Sequence, residues 1–169
     1  SGDAHGSHLV RAMNKKDPSL CFYGIGGKAL KEAGVNILLD AKDLSVVGIT
    51  EVIAKLPKVL DAISIIKSNL QSLSPELIIL IDYPDFNLHI ASIAKKQGIP
   101  VLYYISPTIW AWRSGRIHKI KRVVDHMAVI LPFEVEYYNR ENIPATFVGN
   151  PLLDSFSPIE KISENESDP

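Results

Sequence analysis

Leu77-Ile78-Ile79-Leu80-Ile81-Asp82-Tyr83-Pro84-Asp85-Phe86-Asn87 is the stretch on which the fold turns. Leu77 to Ile81 is a short, unbroken apolar run rich in β-branched side chains, the pattern of a central parallel strand covered on both faces. Asp82 follows at once. In an open α/β sheet ligands bind outside the carboxyl ends of the strands, so this carboxylate stands at a binding rim. A second run, Val101-Leu102-Tyr103-Tyr104-Ile105, empties in the same way into Ser106-Pro107-Thr108-Ile109-Trp110-Ala111-Trp112-Arg113. Two strand ends thus bring an acid, hydroxyls, aromatic rings and a guanidinium to one edge.

Outward from this centre, helical and strand patterns alternate. Ser1 to Gly6 reads as a loop entering a helix whose inward face carries Leu9, Val10 and Met13. Leu20 to Tyr23 reads as a strand. The Gly24-Ile25-Gly26-Gly27-Lys28-Ala29 that follows is either a weak dinucleotide fingerprint or, on the favoured reading, a glycine-rich turn before a short helix stopped near Gly34. Val35 to Leu39 is a further short strand. From Ile49 to Leu73 apolar residues recur at helical spacing, and Pro57 predicts a kink or a split there. Asp85 is expected to cap a helix that stops at Gly98, while Arg113 to Arg122 predicts a basic helix with Ile117, Ile120 and Val123 inward. Met127 to Leu131 reads as a strand, Pro132 to Glu141 as a helix and Thr146 to Val148 as a last strand. Strand and helix in alternation predict a three-layer, Rossmann-like, mostly parallel α/β domain. The Ser, Glu, Asp and Pro of residues 157–169 read as a polar linker or disordered tail.

The 169 residues suit one domain, and 46% hydrophobic residues suffice for a core. A net charge of −1 predicts no bulk attraction to nucleic acid. Cys21 is the only cysteine, expected in a strand, which excludes an internal disulfide and fits a reducing compartment. His5, His8, His89, His118 and His126 form no metal-ligand pattern, and no metal or cofactor is expected. Val46, Ile49, Val52, Ile53 and Leu56, interleaved with Lys55 and Lys58, are either a helix face covering the sheet or a patch for an anionic membrane, with apolar side chains in acyl chains and lysines at head groups.

Longer motifs narrow the reading. Ser1-Gly2-Asp3 with Gly6, Asp82-Tyr83-Pro84-Asp85-Phe86-Asn87, Ser106-Pro107-Thr108-Ile109-Trp110-Ala111-Trp112-Arg113, Leu131-Pro132-Phe133-Glu134 and Val148-Gly149-Asn150-Pro151-Leu152 occur in the order found in lipid-A-disaccharide synthases. The chain resembles the amino-terminal half of that family from Ser1 to about Ser155, without its first strand and with Asn150 where the family usually has histidine. The resemblance implies the amino-terminal domain of a GT-B type, metal-independent, inverting glycosyltransferase. Residues 1–156 would be the Rossmann-like acceptor-side domain, and a carboxy-terminal domain would be missing. Its implied reaction joins UDP-2,3-diacylglucosamine to 2,3-diacylglucosamine 1-phosphate, releasing UDP, at the cytoplasmic face of the inner membrane of a Gram-negative-type bacterium.

On this resemblance Asp82 is the expected base, taking the proton of the acceptor hydroxyl as it attacks the anomeric carbon. A carboxylate under aromatic side chains is partly desolvated, which makes it a better base. Its alternative role is to hold the following loop. Ser1, Gly2 and Asp3 are implied near sugar or phosphate at a helix start. Asn87, Ser106, Trp110, Trp112 and Arg113 complete the implied substrate set. The tryptophans are either packing or a wall for acyl or sugar faces, and Arg113 either a phosphate fork or a surface ion pair. The alternative function is a nucleotide- or lipid-surface-binding module without turnover, which the presence or absence of a second α/β domain downstream distinguishes.

Overall fold

A computed structural model describes residues 2–44, 49–107 and 115–153. In order these form α1 (Gly2–Lys16), β1 (Tyr23–Gly26), α2 (Lys28–Glu32), β2 (Asn36–Asp40), α3 (Ala41–Leu44), α4 (Ile49–Leu73), β3 (Ile78–Ile81), α5 (Pro84–Lys96), β4 (Val101–Tyr104), α6 (Arg116–Val123), β5 (His126–Val129), α7 (Pro132–Arg140) and β6 (Ala145–Phe147). Every strand pairing is parallel, with Ile78 opposite Val101, Leu102 opposite His126 and Met127 opposite Ala145. The chain is therefore α/β, with helical crossovers between parallel strands as the alternation predicts.

The strands form two sheets among the described residues, β1-β2 and β3-β4-β5-β6. This corrects the expectation that β3 is central: among the described residues it pairs with β4 alone, and although α5 and α1 lie on its two faces, its residues other than Leu80 are only half-buried. An apolar run reports burial, and an edge strand under a helix is also apolar. Crossovers through α5, α6 and α7 all step the same way along the sheet, so right-handedness puts these helices on one face, where α4 joins them beside α5. Leu80, Leu88, Tyr103, Ile120, Met127 and Val129 fill the space between that layer and the sheet. On the other side α1 packs on α2 and reaches β3, where a Cβ added at Gly6 would lie 3.3 Å from Ile81 Cδ1.

Four local expectations are revised. The first helix starts at Gly2, so Asp3 to Gly6 are helical. The first strand begins at Tyr23 and includes Gly24 and Gly26, which leaves Cys21 outside it as an exposed free thiol. Residues 49–73 form one unbroken helix despite Pro57. At 25 residues it is about 37 Å long, against about 13 Å for a four-residue strand. In its second half Ala62, Ile66 and Leu70 are buried. Finally, α5 is preceded by Tyr83 in a left-handed conformation, with Pro84 at its first turn, so Asp85 is not its cap. The basic helix is as expected, with Ile117, Ile120 and Val123 buried.

Candidate active site

The rim is built on strained backbone. Asp82 and Tyr83 at the end of β3 have φ of 55° and 43°, and Ile105 at the end of β4 has φ of 65°. Left-handed geometry at non-glycine residues costs about 1–3 kcal/mol each, and for a β-branched residue such as isoleucine it is rarely seen. Such strain persists only where the surroundings over-determine it. Asn87 Nδ2 donates to the carbonyls of Ile81 and Asp82. Tyr103 Oη donates to the same Asp82 carbonyl at 2.8 Å. Burial holds the Tyr103 phenol well above its ordinary value, so it stays a donor. The Ile105 N–H donates to the Ala128 carbonyl at 3.0 Å, fixing the second left-handed turn.

Around these turns lies a cavity of about 300 Å³, lined among others by His5, Asp82, Ser106, Leu131 and Glu134. Asp82 is exposed, so the anticipated desolvation of its carboxylate is not met. The amino terminus of α1 comes up against it: a Cβ added at Gly2 would lie 3.9 Å from Asp82 Cβ. With α5 starting at Pro84 and α7 at Pro132, three helix amino termini with their positive dipole ends converge on this rim. Ser106 is buried; its hydroxyl donates to the Pro107 carbonyl at 3.0 Å and lies 2.5 Å from the Tyr138 hydroxyl. Glu134 is only 1% exposed. It accepts from the Leu131 N–H at 3.1 Å while its own N–H donates to the Leu131 carbonyl, a reciprocal lock on the start of α7.

Of the residues singled out from sequence, Gly2, Asp82, Asn87 and Ser106 gather at this rim. Asn87 and Ser106 spend hydrogen bonds on shaping it. Asp3 is turned to structure: its carboxylate accepts from the N–H groups of Gly27, Ala29 and Leu30. Burial pushes that carboxyl up, but these N–H bonds outweigh it and hold it below its usual value. Asp85 pairs with Arg116 at the start of α6. Ser1, Val46, Trp110, Trp112 and Arg113 lie outside the described residues, as do the side chains of Ile49, Val52, Ile53, Lys55, Leu56 and Lys58. The residues that sequence reasoning passed over are His5, which reaches the cavity from the first turns of α1, and the buried Glu134. Glu134 carried a signal, a glutamate at the third position of a helix opened by proline.

The sequence model of the lipid-A-disaccharide synthetase family matches residues 1–168. A lipid-A-disaccharide synthase of Syntrophus aciditrophicus is 56% identical over 154 residues, covering 91% of this chain and 40% of that protein. Those of Geobacter metallireducens and Coxiella burnetii are 49% and 47% identical, covering 97% and 98% of this chain and 43% and 44% of theirs. The chain thus spans about 40% of the length of the curated relatives it matches.

Proposed function

The chain belongs to the lipid-A-disaccharide synthetase family, and from that premise we propose that it is the amino-terminal, acceptor-side part of an inverting glycosyltransferase of GT-B architecture that makes the lipid A disaccharide. In this reading UDP-2,3-diacylglucosamine is the donor and 2,3-diacylglucosamine 1-phosphate the acceptor. Asp82 takes the proton of the acceptor hydroxyl while its oxygen attacks the anomeric carbon from the face opposite UDP. The new glycosidic bond forms as the bond to the diphosphate breaks, and UDP leaves with that electron pair. The observation that carries the assignment is the position of Asp82: it stands on a left-handed turn clamped by Asn87 and Tyr103, exposed to a cavity at the strand ends. A base held by strained, over-determined backbone is pre-organised for one geometry.

The convergent helix amino termini suit the phosphate groups of either substrate. Trp110, Trp112 and Arg113, which follow β4 in sequence, are proposed to face acyl or sugar groups and a phosphate. Val46 and the first half of α4, with Ile49, Val52, Ile53, Leu56, Lys55 and Lys58, supply the contact with an anionic membrane, at the inner face of the cytoplasmic membrane. No helix among the described residues is long and apolar enough to cross a membrane.

The test is steady-state transfer by Asp82→Asn and Asp85→Asn in a chain that carries the second domain. Asp82→Asn keeps the size of the side chain and removes the proton acceptor, so turnover falls roughly 100-fold or more, as a lost general base typically costs ~10²–10⁴. Asp85→Asn weakens an ion pair in which its own side chain is 76% exposed, and turnover stays near normal. Near-normal turnover in Asp82→Asn, with an unchanged melting temperature, overturns the assignment.

A further inference from the structure

A second cavity, of about 410 Å³, lies at the other end of the helical layer and belongs to no part of the rim. It is a groove between the carboxy-terminal halves of α5 and α6, lined by Ser92, Lys95, Lys96, Lys119, Arg122 and Val123. α5 leaves the rim at Pro84 and reaches Lys96 after 13 residues, about 18 Å away. Four cations surround the groove and one carboxylate answers them, Asp125, which pairs with Lys95 and accepts from the Val101 N–H at 2.9 Å. Among the described residues Lys96, Lys119 and Arg122 have no carboxylate partner. Arg122 Nε donates to the His118 carbonyl at 3.3 Å.

Helix ends account for part of this. Lys95 and Lys96 lie in the last turn of α5 and Arg122 in the last turn of α6, where cations offset the negative dipole end. Lys119 lies outside that turn and is half-buried, three residues before Arg122 on the same stripe. Like charges at that spacing repel each other, so gathering Lys119 beside Arg122 and Lys96 is unfavourable unless an anion is near. Ser92 donates its hydroxyl to the Leu88 carbonyl, so the side-chain donors left to the groove are its four cations. The groove therefore selects by charge.

We propose that this groove binds a phosphate-bearing anion, independently of the reading of the rim. The phosphate sits among Lys96, Lys119 and Arg122, and the remaining volume admits a small head group. Such a group can come from a soluble phosphate compound or from an anionic phospholipid, and the experiment separates the two. The 169-residue chain is titrated with inorganic pyrophosphate, followed by calorimetry, and separately with vesicles of phosphatidylglycerol in phosphatidylcholine, followed by sedimentation. Lys96→Gln/Lys119→Gln/Arg122→Gln weakens binding to the relevant probe at least about tenfold, given roughly fivefold per cation near an anionic surface. Asp125→Asn keeps the acceptor for Val101 but removes the opposing charge, so it tightens binding about twofold or more, an effect that loss of fold does not produce. Neutralising Lys15, Lys16 and Lys31 instead leaves binding unchanged. A loss on the triple substitution confined to pyrophosphate identifies a soluble ligand, one confined to vesicles and seen also in the Val52→Ser/Ile53→Ser background a lipid head group, and either supports the site. Binding of both probes that is indifferent to the triple and Asp125→Asn substitutions, absence of binding to both, or an equal loss in the distant-lysine control overturns it.

Discussion

Asp3 sits in the first turn of α1 and ties that helix to the start of α2 through three backbone N–H groups. Its charge is therefore worth more in the folded chain than in the unfolded one. The folded carboxyl titrates below the ordinary value of 3.8, so its contribution is complete above that value and is lost as pH falls through the folded one. Asp125, opposed by burial but held down by Lys95 and the Val101 N–H, acts in the same direction. Asp3→Ala is expected to cost about 1 kcal/mol near neutrality, the usual worth of a side chain that satisfies helix-start donors. Thermal melts from about pH 6 to about pH 2 will find the gap to the parent protein closing toward the acid end. A gap that stays constant with pH removes the charge from the explanation. Asp82 was legible in the sequence because a strand of apolar residues ends there. The roles of Asn87, Tyr103 and Glu134 were not, since each depends on which backbone carbonyl or N–H the fold brings within 3 Å or so, and nothing in residue spacing encodes that.

β1 illustrates the same limit for an element. Its boundary moved from the apolar residues 20–23 into the glycines because the tertiary neighbours leave no room for side chains. A Cβ at Gly26 would fall 2.3 Å from Leu30 Cδ1 and 3.0 Å from the Asp3 carboxylate. Gly26→Ala should therefore destabilise the protein by about 1–3 kcal/mol through overpacking, measurable as a lower denaturant midpoint, while Gly24→Ala, whose nearest neighbour is Val35 Cγ1 at 3.5 Å, costs less. Equal midpoints for the two variants would remove the steric account. Helices with strong periodicity, α5 and α7, were readable to within one or two residues and α6 to within three, because each buries one stripe against a single sheet. α4 was readable as a helix, yet its continuity through Pro57 was not. The proposed membrane contact of α4 has a direct check: Val52→Ser/Ile53→Ser should weaken sedimentation with anionic vesicles, each side chain giving up roughly 1.5–3 kcal/mol of apolar burial. If the fold persists and sedimentation does not change, α4 only covers protein.

For the molecule as a whole, alternation of strand and helix fixed the class but not the order of the strands. Hydrophobic runs describe how deeply a strand is buried, whereas sheet order depends on which neighbours pair, so β3 was placed at the centre when its described pairing puts it at an edge. In the proposed reading, a division of labour between this chain and the remaining part of its relatives' length is expected from magnitudes. A general base contributes ~10²–10⁴ in rate, while enzymes accelerate reactions by ~10⁶–10¹⁷. The remainder must come from stabilising the departing diphosphate and from holding donor and acceptor in line. Relatives carry about 60% more of their length beyond what this chain covers, since it matches 40% of the first of them. In the proposed architecture that remaining part grips the nucleotide. The 169-residue chain is accordingly expected to unfold in a single cooperative transition, as small domains do, and to form no disaccharide from UDP-2,3-diacylglucosamine and 2,3-diacylglucosamine 1-phosphate. A full-length relative assayed in parallel, under the same lipid and detergent conditions, should transfer readily. Disaccharide above the uncatalysed background from the purified chain, abolished by Asp82→Asn, would place the whole of catalysis on this side of the cleft and discard the division of labour.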